Sequence, residues 1–564
     1  MMKKLLASAA MLIAAITVNA QAEATALWGK AVQTNYTTQG SNMTLASDGG
    51  IYAVCGAGTK ATTEYVKFGN DDIAPGTEYN GNSSSGNQIF VLQKIDKTGT
   101  SQWTVYSKNG EVINNESYVS SVSDGVLVFF GIRHTQGFED KTITLVDATG
   151  TETDLQWTLG AADAQRYYLG IVMKVGNDGA IKWLRKIEVN HDGQPAATNA
   201  SYKTNTGQGI YPYGLTTDTD GNIFIGGNQR TEFTLKKADG TDATISARDV
   251  EGWNGDPQKS VGDLFVIKLD KDGYYQSHLQ TQGDATHIAV RDMQYKNGTL
   301  YLMGLLTGKA DTPVSLGGQT VTPANTNTGV FTAALKSDLS VDWFSLYAST
   351  KSGSTMQTPG LFIGSDYIWV LGKTNMALTT KNETALTCQH TRDGIMLKVD
   401  ATNGDLLDGY IRQTNQAGFF AAFEGNDGNI YAATHTLLGP LFLYQFAQDD
   451  LTQPKAQLQL IASTSDTQGI AITSDGLLYT MTRGNSTGNK LTDGTQTIVQ
   501  SVTKYSCNIS AFQLTVKPNT PTGINDIETT AWTGSNGIYN LHGQRLNKMQ
   551  PGINIVNGKR IYVK

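Results

Sequence analysis

Cysteine is almost absent from this chain: Cys55, Cys388 and Cys507 are spread through 564 residues. An odd set at such wide spacing closes at most one disulfide, so this is no stapled miniature scaffold, and all three read as small buried hydrophobes. A chain of this length buries a sizeable core without staples. Proline is scarce at 12 residues and charge is thin at 16%, well below the usual quarter. Lys and Arg number 43 against 50 Asp and Glu, a formal net charge of −7. Without a basic excess, no nucleic-acid partner is expected. Long apolar runs are missing beyond the first twenty residues, which excludes a polytopic membrane protein. What the chain has in quantity is glycine, 61 residues, and that richness beside low charge points to many tight turns joining short strands.

The one apolar run has a specific form. Met1-Met2-Lys3-Lys4 is a short positive segment, Leu5 to Val18 is almost wholly apolar, and Val18-Asn19-Ala20 places small residues at −3 and −1 before Gln21. This is the pattern of a secretory signal peptide over 1–20, shorter than the roughly 20 apolar residues needed to span a bilayer. No cysteine follows the cleavage point, so no lipid anchor is expected. The mature protein should be exported, with no membrane span after signal removal.

A turn followed by apolar and aromatic residues recurs seven times: Asp48-Gly49, Asp124-Gly125, Asp220-Gly221, Asn297-Gly298, Ser365-Asp366, Asp427-Gly428 and Asp475-Gly476. Asp-Gly and Asn-Gly supply the positive φ that a tight hairpin demands, so each copy reads as strand, turn, strand. A second hairpin follows at a variable distance. Phe90 to Trp103 is an apolar strand, a polar Gly turn and a return strand carrying Trp; Val172 to Trp183, Phe265 to Tyr275 and Thr332 to Trp343 repeat it, and 396–410 and 441–458 are looser copies. Six units thus hold four strands each. The seventh has Asn508 to Val516 as its third strand and then meets Pro518, while Leu27 to Val32 at the other end of the chain supplies a Trp-bearing return strand. The expected fold is all-β, a seven-bladed β-propeller over 21–517 closed by the N-terminal strand, with a linker and small β tail over 518–564.

Segments between the paired hairpins, such as Pro313 to Thr322 and Phe233 to Ile245, together with Asp263 to Asp270, resemble the bacterial propeller repeats called SBBP repeats. That resemblance implies architecture over roughly 25–517 and carries no catalytic residue. The C-terminus resembles a second family. Gly537-Ile538-Tyr539-Asn540-Leu541-His542-Gly543-Gln544-Arg545-Leu546 and Pro551 to Lys564, with its Asn557-Gly558-Lys559 turn, are similar to the sorting tails of Bacteroidetes type IX secretion cargo. The resemblance implies passage across the outer membrane, engagement of the secretion machinery by the tail, and a place at the cell surface or outside the cell, or in the periplasm if the tail does not sort.

In a propeller, long connections between second and third strands open on one face and tight turns occupy the other. The insertions around 56–88, 133–169, 229–263, 374–393 and 481–507 should gather on the open face, where loops usually carry binding residues. The starts of the innermost strands would ring the channel mouth there, which makes Tyr118, Tyr211, Tyr213, His287, Arg291, Phe419 and Gln468 the candidate ligand-binding residues. Their aromatic rings suit a stacking platform for sugar or an extended peptide.

Catalytic spacing is lacking. The seven histidines are scattered singly, without a metal-ligand spacing. Asp218-Thr219-Asp220-Gly221 and Asp270-Lys271-Asp272-Gly273 open like a calcium loop but have no Glu at the twelfth position, and both fall where a turn is required. Asp71-Asp72 and Glu139-Asp140 are acidic pairs of the kind a glycosidase uses, though they sit in surface loops. Adjacent cysteines and a calcium cluster, which a quinone-dependent propeller dehydrogenase would call for, are missing. No metal and no cofactor are expected. The sequence reads as an exported, monomeric, non-catalytic binding or adhesion propeller for a glycan or an extracellular protein, with a propeller polysaccharide lyase or glycoside hydrolase as the alternative.

Overall fold

In the computed structural model, the described residues run from 22 to 518, apart from loop segments of which 75–87, 190–207 and 247–262 are the longest, and continue in strands between 538 and 563. The signal segment 1–20, the linker after Pro518, and Glu139-Asp140 lie outside them. Among the described residues there is no helix, and therefore none long and apolar enough to cross a membrane.

Seven four-stranded antiparallel sheets ring an axis. Their innermost strands, blade one to blade seven, are Thr38–Leu45, Val112–Val122, Gln208–Thr217, His287–Lys296, Met356–Ile363, Ala417–Glu424 and Asp466–Ile472. In blade seven, Leu477–Gly484 and Ser506–Leu514 follow, and the outer strand is Ala24–Gln33 from the other end of the chain, with Trp28 opposite Ala511 and Lys30 opposite Ile509. The N-terminal closure expected from the truncated seventh repeat is therefore present.

Each blade is covered on both faces by its neighbours, so its central strands are apolar on both faces. In Ile89–Ile95 every residue is buried. Ile89, Val91 and Ile95 pack with Met481 and Ala511 of blade seven, while Phe90 and Leu92 join the core of blade two, where Phe90 stacks on Phe130 with centroids 4.4 Å apart. This two-sided burial is why the sequence shows near-continuous apolar runs where a half-exposed sheet would alternate.

The turn acids act on their own turns. Asp218 Oδ1 accepts from the amides of Asp220 and Asn222, and Asp270 Oδ1 from those of Asp272 and Tyr274, all at 2.8 to 3.0 Å. Their carboxylates are spent on tightening hairpins.

The insertions depart from expectation. Their described parts form hairpins that join the edge of the preceding blade. Val66–Phe68 pairs with the outer strand of blade seven, Lys141–Val146 with that of blade one, Phe233–Lys236 with that of blade two, and Val314–Leu316 with that of blade three. Near blade four the amide of Thr350 donates to Ala377 O, and near blade six Ile461 bridges Leu491. An outer strand left alone would expose a row of unpaired amides and carbonyls, and each hairpin covers one such edge. Blade six has only the tight turn from Thr436 to Gly439 in this place, with Leu437 and Leu438 exposed. Near the C-terminus, Ile538–Asn540, Arg545–Leu546, Gly552–Val556 and Lys559–Val563 form a separate four-stranded sheet, the small β appendage expected there.

Candidate functional site

The inner strands share one irregularity. Register slips between Gly40 and Asn42, Pro212 and Gly214, Val290 and Asp292, Phe419 and Ala421, and Thr467 and Gly469 each leave one residue unopposed. Larger slips fall between Gln357 and Gly360 in blade five and between Val112 and Ser117 in blade two. The unopposed residues are Ser41, Tyr213, Arg291, Phe420 and Gln468. Each lies four or five paired residues before its hairpin turn, so the five share one level of the channel.

Regular pairing sends successive side chains onto the two faces of a blade, and both faces are packed against neighbours. A bulge residue belongs to neither set, and the kink turns it toward the free edge of the strand, which borders the channel. Exposure follows this logic. Ser41, Tyr213, Arg291, Phe420 and Gln468 are all half-buried, whereas the residue before each of them is buried.

The Arg291 guanidinium lies 4.2 Å from the centre of the Tyr213 ring, and Tyr213 stacks on Tyr211 with centroids 6.4 Å apart and planes 10° from parallel. This three-layer stack joins blades three and four. Arg291 Nε is buried and has no hydrogen-bond partner among the described residues, and the same holds for both amide atoms of Gln468. Gln468 also reaches blade one, where a Cβ on Gly40 would stand 2.9 Å from its Oε1. Phe420 lies 5.8 Å, centroid to centroid, from His435.

Asp292, next to Arg291, is turned into the wall. Its carboxylate accepts from the amides of Met293 and of Leu361 in blade five, both at 2.8 Å. Burial pushes its pKa up to about 7 against the opposing effect of those two bonds.

Tyr211, Tyr213 and Arg291 thus stack together across blades three and four, while Gln468 stands in blade seven beside Gly40 of blade one. His287 opens the inner strand of blade four opposite Thr307; its side chain is not among those described. Tyr118 is half-buried on the packing face between blades two and three, beside the cluster that holds Leu127 and Ile210. Phe419 requires a correction. It is fully buried among Tyr410, Tyr444 and Phe446, whereas the adjacent Phe420 is the half-buried bulge residue, packed on the edge of the same core beside His435. Position near a strand start does not tell Phe419 from Phe420, because the bulge that separates them is set by pairing with the next strand. Ser41 and Phe420 were missed for the same reason. The available signal is the alignment of the seven inner strands on their turns, with Gly40, Gly214, Gly360 and Gly469 flanking the extra residue.

Other candidates resolve elsewhere. Asp72 pairs with Lys67 at 3.4 Å on the surface. The three cysteines are buried free thiols. Among the described residues no three His, Cys, Asp or Glu side chains converge on a metal position. A shallow rim groove of about 470 Å³, lined by His278 to Gln282 with Gly317 and Gly318, lies on the outer strand of blade three, where Tyr275 Oη is bonded to His278 Nδ1 at 2.7 Å.

Fold and site together define a seven-bladed β-propeller whose axial ring is built from bulge residues. No known family model matches the chain, and no curated protein matches it. Among solved structures, the extracellular region of plexin A4 aligns at 10% identity over 58% of this chain and 50% of the plexin chain, with a TM-score of 0.26. The Bombyx mori GH32 β-fructofuranosidase BmSUC1 aligns at 9% identity over 87% of this chain and 93% of its own, also with a TM-score of 0.26. The alignment thus spans about half the length of the plexin chain.

Proposed function

We propose that this protein is an exported, non-catalytic propeller that holds a glycan at its axial ring, at the surface of a Bacteroidetes-type bacterium. The observation that carries the reading is the ring itself: seven inner strands break register, and the described single-residue bulges bring an aromatic stack, a guanidinium and an unpaired amide to one level of the channel. Aromatic faces with amide and guanidinium donors are the groups that take up the apolar face and the hydroxyls of a sugar. The export half of the reading rests on the resemblance of residues 1–20 to a signal peptide and of residues 537–564 to type IX sorting tails.

The test is a polysaccharide panel applied to the mature chain, residues 21–564, with binding and sugar release followed in the same wells. Binding without release is the expected result. Release of sugar would replace this reading with the lyase or hydrolase one. Binding of surface proteins with no glycan signal would move the function to protein adhesion.

A further inference from the structure

We propose that the glycan held at the ring is acidic, and that a uronate carboxylate pairs with Arg291 while its sugar ring lies against the neighbouring aromatic faces. The inference rests on the glycan reading above and adds the chemistry of the ligand. It starts from an imbalance. Arg291 is a permanent cation, half-buried, in a chain of net charge −7, yet among the described residues no carboxylate pairs with it. The acid beside it in sequence, Asp292, already accepts from the amides of Met293 and Leu361. Arg291 Nε is buried without an acceptor. A half-buried cation without a counter-charge is costly, and an anion arriving from the channel at the terminal nitrogens of the guanidinium would relieve that cost.

The geometry narrows the anion. The guanidinium is held over Tyr213 at 4.2 Å, and Tyr213 is itself held by Tyr211, so the planar fork is fixed before ligand arrives. A fixed fork matches the two coplanar oxygens of a carboxylate in a bidentate pair, which lysine cannot imitate. One unpaired guanidinium balances one negative charge, which suits a monoanion better than a phosphate. At the same level Phe420 and Gln468 are the half-buried bulge residues of blades six and seven.

The test is calorimetric titration of the mature chain with oligogalacturonate, oligomannuronate and hyaluronan oligomers, each beside its methyl ester, and with neutral and sulfated oligosaccharides as controls. Esterification keeps the sugar and removes only the charge. At least one acidic oligomer should bind, its ester at least about tenfold more weakly. Arg291→Gln should cause a comparable loss and Arg291→Lys an intermediate one, while the near-ultraviolet circular dichroism and melting temperature of both variants show that the fold is retained. Equal binding of acid and ester, undiminished binding by R291Q, or preference for a sulfated sugar would overturn the carboxylate inference and leave the glycan reading standing. Failure of every oligosaccharide, neutral ones included, would overturn both.

Discussion

Trp28 docks on Gly99. Its indole Nε1 donates to Lys97 O at 2.9 Å, and a Cβ added at Gly99 would lie 2.6 Å from the indole ring. The outer strand of blade seven is thereby latched to the hairpin between the third and fourth strands of blade one. Trp103 repeats the contact on Asn177 and Gly179 of blade two, Trp183 on Gly273 of blade three, and Trp343 on Ala401 and Gly404 of blade five. All four glycines have φ between 73° and 81°. Where the tryptophan is missing, so is the glycine: Ser277 holds its register position in blade three, and the next turn carries Leu339 at φ 69°. A large ring on one blade and a bare backbone on the next form a single device, which accounts for the Gly and Trp rhythm of the repeats.

Gly99→Ala should therefore cost about 2 to 4 kcal/mol, combining a left-handed backbone with a collision against a buried indole. Gly428→Ala isolates the first effect, because Gly428 has φ 76° with nothing within 4 Å of an added Cβ; about 1 kcal/mol is expected there. Chemical denaturation of the two variants beside the parent checks the difference, and equal costs would dismiss the docking contact as a source of stability.

Asp292 sets an unusual pH dependence. With its pKa raised to about 7 by burial, the folded chain keeps a proton that the unfolded chain loses near pH 4, so stability should fall as pH rises from about 4 to 7 and level off above. Asp400 works in the opposite sense. The hydroxyl and amide of Thr402 hold its pKa below the ordinary value, so its contribution is lost only as pH drops through the carboxylate range. Asp292→Asn keeps an oxygen to accept from Leu361, and it should flatten the decline toward neutrality without touching the acid limb. Melting curves across the pH range read both limbs.

The propeller was legible because its determinants are local. Asp-Gly turns, apolar strands and a truncated last repeat are written in consecutive residues, and ring closure followed from matching Trp28 with Trp103 and Trp183. The ring was only partly legible. Tyr213, Arg291 and Gln468 stand near strand starts, and so does Phe419, but which of Phe419 and Phe420 is left unopposed depends on a bulge, a relation between two strands that one strand alone does not show. The hairpins on the blade edges were hidden similarly: a segment such as Val314–Leu316 shows that it is a strand, not that its partner lies in the blade before.

Buried thiols give a sharp chemical expectation. Burial and the nearby Asp393 push Cys388 up to about 12, and contact with Cys55 together with burial raises Cys507. Thiolate, not thiol, is the nucleophile. Cys388 and Cys507 should therefore resist a thiol reagent in the native protein at neutral pH, Cys55 should resist it through burial alone, and all three should react together on unfolding. A Cys388 that labels at native rates would contradict its burial.

Phe419 and Phe420 separate packing from binding within two adjacent residues. Phe419 is enclosed by Tyr410, Tyr444 and Phe446, so Phe419→Ala leaves a cavity and should cost about 3 to 5 kcal/mol. Phe420 is half-buried, packed on the edge of that core and against His435, so Phe420→Ala should cost less, about 1 to 2 kcal/mol. Ligand affinity should reverse the order: truncating Phe420 removes an aromatic face from the ring and weakens glycan binding, whereas F419A protein that remains folded at low temperature should bind like the parent. Denaturation and titration on the same two variants test this crossing. Parallel losses in both would place Phe420 in the blade core and take the bulge ring away from the ligand.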